Sequence, residues 1–184
     1  MGSRDAATDG EIVRAVLAGD VERYAALVDR YRARYERYAV RMLGSRDAAE
    51  DALQDALVRA YDRLADCREP ENFAGWLFLI LRNRCFAEQR RVRREGWRPD
   101  TTADAVAAPE RSDGPLEQRE RKRALERAVG VLTPEQREAV VLKHVEGLSY
   151  EEMAQLTGAT VASLKMRMHR AYDRLREQMK EYVG

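Results

Sequence analysis

The sequence predicts an all-α chain: two small helical domains joined by a flexible linker, the C-terminal one a helix-turn-helix. Three observations lead there. Hydrophobic residues make up 45% and charged residues 35% of the 184 positions, with only 11 Gly and 5 Pro, a composition rich in helix formers such as Ala, Leu, Arg and Glu. Apolar residues recur at three- and four-residue steps in both halves. Between the halves, residues 95–117 hold three of the five prolines and no apolar period, which reads as a linker. The length suits two domains of about 70–90 residues each.

Taken in order, Ile12, Val13, Val16 and Leu17 form a short amphipathic stripe that Gly19-Asp20 interrupts. Tyr24, Leu27, Val28, Tyr31, Tyr35, Tyr38, Met42 and Leu43 then continue at helical steps, predicting one long helix with one buried face. Gly44-Ser45 ends it. Asp47 with Glu50 has capping-box spacing and is expected to open the next helix, whose buried stripe is Leu53, Leu57, Tyr61 and Leu64. Residues 66–72 (DCREPEN) read as a loop around Pro70. Phe73 then opens FAGWLFLIL, which runs straight into an Arg-rich segment; a single helix, buried first and basic afterwards, is the simplest account.

The second half restarts near Leu116, with Leu125, Val129 and Leu132 as one short helix. Thr133-Pro134-Glu135-Gln136 is a helix start: an N-cap Thr, Pro in the first turn, Gln at the capping-box position. Ala139, Val140, Leu142 and Val145 form its expected core face, and Gly147 stops it. Ser149-Tyr150-Glu151-Glu152 is a second capping box, followed by Met153, Ala154 and Leu156. Thr157-Gly158-Ala159-Thr160 makes a tight turn before a long helix with Val161, Leu164, Met168, Ala171, Tyr172 and Leu175 on one face. Helix, short Gly-containing turn, helix is the pattern of a helix-turn-helix, whose second helix enters the DNA major groove. Ser163, Lys165, Met166, Arg167, His169 and Arg170 lie around its outer faces, where Lys and Arg can reach guanine edges or phosphates.

Net charge is only +1, yet charge is unevenly placed. Residues 82–94 hold six Arg against one Glu, residues 161–176 five Lys/Arg against one Asp, and residues 99–117 five acids against one Arg. A solvated helix face accounts for either basic island alone; two islands flanking an acidic connector fit phosphate binding better. Cys67, Cys85, His144 and His169 form no metal-ligand spacing, and there is no Gly-rich phosphate loop or paired nucleophile and base. No enzyme activity, metal or cofactor is expected. An apolar run long enough to span a membrane is missing, as is a signal-peptide core, so a cytoplasmic chain without membrane insertion is expected.

LTPEQREAVVLKHVEGLSYEEMAQLTGATVASLKMRMHRAYDRLRE resembles region 4 of the extracytoplasmic-function (ECF, group 4) sigma factors of the sigma-70 family. DAAEDALQDALVRAYDRL is similar to their region 2.2, and FAGWLFLILRNRCFAEQRR to regions 2.3 and 2.4. The resemblance implies sigma region 2 over residues 10–95, an acidic linker over 96–117 and sigma region 4 over 118–182. It implies core RNA polymerase (β′ clamp helices and β flap), promoter DNA and an anti-sigma factor as partners. Asp51, Gln54 and Asp55 would bind polymerase, and their spacing puts them on one helix face. Asn72, Trp76, Arg82, Asn83, Arg84, Arg90 and Arg91 would capture and melt the −10 element, where a base leaves the stack and the protein must compensate a few kcal/mol. Ser163, Lys165, Met166, Arg167, His169 and Arg170 would read the −35 element. The linker, about 20 residues long, could span several tens of Å when extended.

The chain departs from the family pattern at Ala87, where many members have Asp, at Leu79, where a polar or basic residue is usual, and at Met166, which replaces a common Ser. These positions put promoter choice in doubt rather than the role. The competing reading is a two-domain helix-turn-helix regulator that does not bind core polymerase. It leaves the Asp51/Gln54/Asp55 face and the Asn/Arg segment unexplained, and would usually need a dimer for a two-fold operator.

Overall fold

The computed structural model describes residues 7–94 and 128–180. The linker over 96–117, Trp97, Leu116 and Leu125 lie outside the described residues. The described regular elements are helical: α1 (Asp9–Leu17), α2 (Tyr24–Leu43), α3 (Arg46–Asp62) and α4 (Phe73–Arg94) in the first half, then α5 (Pro134–Val140), α6 (Tyr150–Thr157) and α7 (Val161–Gln178).

Capping chemistry sets most of the starts. Thr8, Thr133 and Ser149 each close a reciprocal capping box, with Glu11, Gln136 and Glu152 respectively, which satisfies two of the backbone donors a helix start leaves open. For α3 the expected Asp47 cap gives way to Ser45. Gly44 ends α2 in the left-handed conformation (φ 74°) and leaves Ser45 extended, so its hydroxyl accepts from the Ala48 N–H. The predicted loop at 66–72 is tighter than expected: short 3₁₀ turns at Leu64–Asp66 and Pro70–Asn72 bracket it. Beyond α5 the chain widens into a π turn, Val141–Val145, closed by Glu146 N–H to Val141 C=O at 3.1 Å.

α2, α3 and α4 pack around Leu27, Met42, Leu53, Phe73, Leu77 and Leu81, all nearly inaccessible. Burying each such side chain contributes about 1.5–3 kcal/mol. The tyrosines of α2 act as cross-ties, each placing its ring in the core and its hydroxyl on a specific acceptor. Tyr24 donates to Leu57 C=O on α3 at 2.8 Å, and Tyr35 to Ala74 C=O on α4 at 2.6 Å. Tyr38 donates to Glu138 of α5, 3.1 Å away and 100 positions along the chain. Burial raises all three phenols above their ordinary range. Four residues read as core are instead surface: Leu17, Tyr61, Val145 and Tyr172 are each more than 40% exposed. They stand at the edges of their apolar stripes, where periodicity alone does not say which neighbour covers them.

The two halves share one core. Ala139, Val141, Leu142, Met153, Leu164 and Met168 of the second half are buried in the same cluster as the first-half residues. No helix among the described residues is long and apolar enough to cross a membrane.

Candidate nucleic-acid and polymerase interface

The helix-turn-helix is built as its residue types demand. Gly158 ends α6 at φ 71°, a left-handed conformation that disfavours a side chain. Thr157 donates to Met153 C=O at 2.7 Å and accepts from Ala159 N–H. Thr160 then caps α7 by accepting from Ser163 N–H at 3.1 Å. Met153, Leu164, Met168 and Ala171 fill the space between the helices. That packing fixes which side of α7 is left to solvent. Lys165, Met166, His169 and Arg170 are exposed, while Ser163 and Arg167 are half-buried. The Lys165 ammonium sits 5.7 Å from the Tyr150 ring, and His169 Nδ1 is 2.9 Å from Asp173. One guanidinium nitrogen of Arg167, Nη1, has no hydrogen-bond partner among the described residues.

On α4 the predicted residues divide by face. At 3.6 residues per turn, Trp76, Leu79, Asn83, Ala87 and Arg90 line one side. Asn83 and Arg90 are exposed, Leu79 is 38% exposed, and Trp76 is half-buried against Phe73. Asn72 stands just before this face, over Gly75: a Cβ at Gly75 would meet the Asn72 side-chain oxygen at 2.6 Å. The other arginines flank the face and are engaged. Arg82 pairs with Glu138, Arg84 with Asp55, and Arg91 with Glu88 at 2.6 Å. Hydrogen bonds from Arg91 hold the Glu88 carboxyl below the ordinary range.

Asp51, Gln54 and Asp55 are exposed on α3 and share a face, as the spacing implied. That face continues to Val58, 54% exposed, and borders a groove lined by Val21, Tyr24, Val28, Leu57 and Tyr61. The sequence reading missed this apolar margin. Val58 lies one turn beyond Gln54 and Asp55, so extending their face was the signal that could have found it. Asp55 also carries the Arg84 pair, which joins a predicted polymerase residue to a predicted DNA residue.

Among the described residues, no group of three or more His, Cys, Asp or Glu could hold a metal ion. Cys67 and Cys85 are buried free thiols; burial pushes the Cys85 thiol up to about 12.

Fold and surfaces together define a helical DNA-binding protein with a helix-turn-helix in its second half. Residues 27–98 match the sigma-70 region 2 family model, and residues 122–175 match sigma-70 region 4. Over 166 residues the chain is 34% identical to RNA polymerase sigma factor CarQ of Myxococcus xanthus, covering 89% of this chain and 92% of that protein. It is 33% identical to the ECF RNA polymerase sigma factor EcfG of Rhodopseudomonas palustris over 75% of each chain. A solved structure of the sigma factor RpoE with the anti-sigma factor NepR from Bartonella quintana superposes with a TM-score of 0.60 at 29% identity, covering 85% of this chain and 96% of that one. The chain belongs to the ECF RNA polymerase sigma factors of the sigma-70 family.

Proposed function

We propose that this chain brings core RNA polymerase to promoters and opens them, with separate faces for each task and no catalytic chemistry of its own. Residues 10–95 act as the clamp-binding and −10 module, 96–117 as an acidic connector, and 118–182 as the −35 module. Asp51, Gln54 and Asp55 meet the polymerase clamp helices, with Val58 as an apolar contact beside them. The −10 strand is held along Asn72, Trp76, Asn83 and Arg90, with Arg82, Arg84 and Arg91 on its flanks. A base lifted from the stack meets Trp76, and arginines hold the backbone. The −35 duplex is read by α7 through Ser163, Lys165, Met166, Arg167, His169 and Arg170.

The observation that carries this reading is the Asn83–Arg90 face of α4. A helix-turn-helix regulator has no use for a second, amide-bearing basic helix beside an acidic-amide face, whereas strand capture during melting needs one. The work of such a protein is done where polymerase and chromosome are, in the cytoplasm. The complex of the Bartonella relative with an anti-sigma factor supports a protein inhibitor as a further partner.

The test is complex formation with sigma-free core polymerase, followed by size-exclusion chromatography. The wild-type chain co-elutes with core, and the double variant Asp51→Ala/Gln54→Ala loses co-elution while keeping its affinity for −35 duplex. Absence of co-elution by the wild-type chain would favour the regulator reading.

A further inference from the structure

The open face of α7 has an apolar centre. Leu164, Met168 and Ala171 are buried against the rest of the fold. At 3.6 residues per turn, or about 100° per residue, the side opposite them carries Ala162, Lys165, Met166, His169, Arg170 and Asp173, all exposed. Ala162 and Met166, four residues apart, run along the middle of that side, with Lys165 on one flank and Arg170 on the other. The neighbours of Met166 have protein partners. His169 Nδ1 lies 2.9 Å from Asp173, and the Lys165 ammonium 5.7 Å from the Tyr150 ring. Tyr172, the other large apolar residue exposed on α7, has its hydroxyl 2.5 Å from His144 Nε2. Met166 leaves 53% of its surface in water.

A single exposed methionine is ordinary on a protein surface. Place sets this one apart: it stands mid-face, between two cations, in the N-terminal half of the helix, the part that meets base edges in a helix-turn-helix. Its chemistry limits what it can read there. A thioether has no donor and is only a weak acceptor, so it is blind to the donor and acceptor pattern of a base pair. The one apolar group that unmodified base pairs present in the major groove is the C5-methyl of thymine. A Ser at this position would offer a hydroxyl, which suits more than one base. Methionine is also long, unbranched and polarizable, so it adapts to an apolar contact at the end of its reach.

We propose that Met166, with Ala162 beside it, is a specificity-determining residue that selects a thymine in the −35 element by packing on its C5-methyl group. The inference rests on the reading of α7 as the −35 helix. Lys165 and Arg170 take guanine edges or phosphates to either side. Met166 and Arg170 are about 6 Å apart along the helix axis, which places the thymine within about two base-pair steps of the Arg170 contact. The −35 sequence of this chain therefore differs from that of a relative with Ser here at one pyrimidine, with the flanking contacts kept.

The experiment uses holoenzyme assembled from core polymerase and the full chain. Promoter fragments randomised over the −35 and −10 elements are selected for binding. Each thymine of the enriched −35 sequence is then replaced by deoxyuridine, which removes only the methyl. At one thymine the replacement is expected to weaken binding about fourfold, the worth of one buried methyl-sized group. Met166→Ser should bind the thymine and deoxyuridine fragments equally, and Met166→Leu, still apolar, should keep the preference. Arg170→Ala should weaken both fragments and leave their ratio at the wild-type value, which separates methyl reading from a general loss of affinity. Assembly of each variant with core checks folding. An enriched −35 sequence without thymine, one whose thymines all tolerate deoxyuridine, or a preference that survives in Met166→Ser overturns the role of Met166 and leaves α7 as the −35 helix. Enrichment of no −35 sequence at all overturns that reading and the inference together.

Discussion

The two basic helices, α4 and α7, carry similar charge in the sequence and present it very differently. On α7, Lys165 and Arg170 are exposed, and the acid nearest them in sequence is Asp173, already shared with His169 and Arg176. On α4, three of the arginines sit on carboxylates: Arg82 on Glu138, Arg84 on Asp55, Arg91 on Glu88. Charge counted along a sequence is not charge offered to a ligand. On the function proposed above, α7 offers its charge as it stands, whereas α4 exchanges protein carboxylates for DNA phosphates as it binds.

Substitutions can break or sharpen that contrast. The largest effect is expected at Arg82. Arg82→Ala leaves the buried Glu138 carboxylate without its counter-charge, a loss of about 3–5 kcal/mol if the halves stay docked, less if they separate. Urea denaturation reads it, and Arg82→Ala/Glu138→Ala should recover part of the loss. Arg170→Ala, by contrast, should leave the denaturation midpoint in place. It should weaken −35 duplex binding by about 1–3 kcal/mol if it meets a base, or lower the salt dependence of binding by about one ion if it meets a phosphate. Binding isotherms at several salt concentrations distinguish the two. Thr160→Ala removes the cap that sets the start of α7 and should cost about 1 kcal/mol, seen as a lower melting temperature together with weaker −35 binding. The smallest effect is expected for Arg84→Ala. Its partner Asp55 is half-exposed, and such pairs contribute about 0–1 kcal/mol; a double-mutant cycle with Asp55→Ala measures the coupling.

What could be read from the sequence follows the range of the interaction concerned. Caps and turns are local, so the starts at Thr133 and Ser149 and the turn at Gly158 were visible in short runs of residues. The start of α3 was read at Asp47 from its spacing to Glu50, and the structure moves it to Ser45, which the left-handed Gly44 leaves extended to cap the helix. Stripe edges were harder: Tyr61 keeps the helical period yet is 41% exposed, beside the groove next to Gln54. The faces at Asp51/Gln54/Asp55 and on α7 were legible because each occupies one helix. Glu138 was not. A Glu in the middle of a short helix reads as a solvated residue, and its partners lie 56 and 100 positions away. The π turn at Val141–Val145 likewise leaves no mark in the apolar pattern.

The measurement that tests the central claim most directly is permanganate footprinting of a cognate promoter with core polymerase and this chain. The account predicts reactive thymines across the −10 element that are lost in the double variant Asn83→Ala/Arg90→Ala, while protection over the −35 element persists. Stable promoter binding with no reactive thymines, or reactivity indifferent to Asn83 and Arg90, would contradict it.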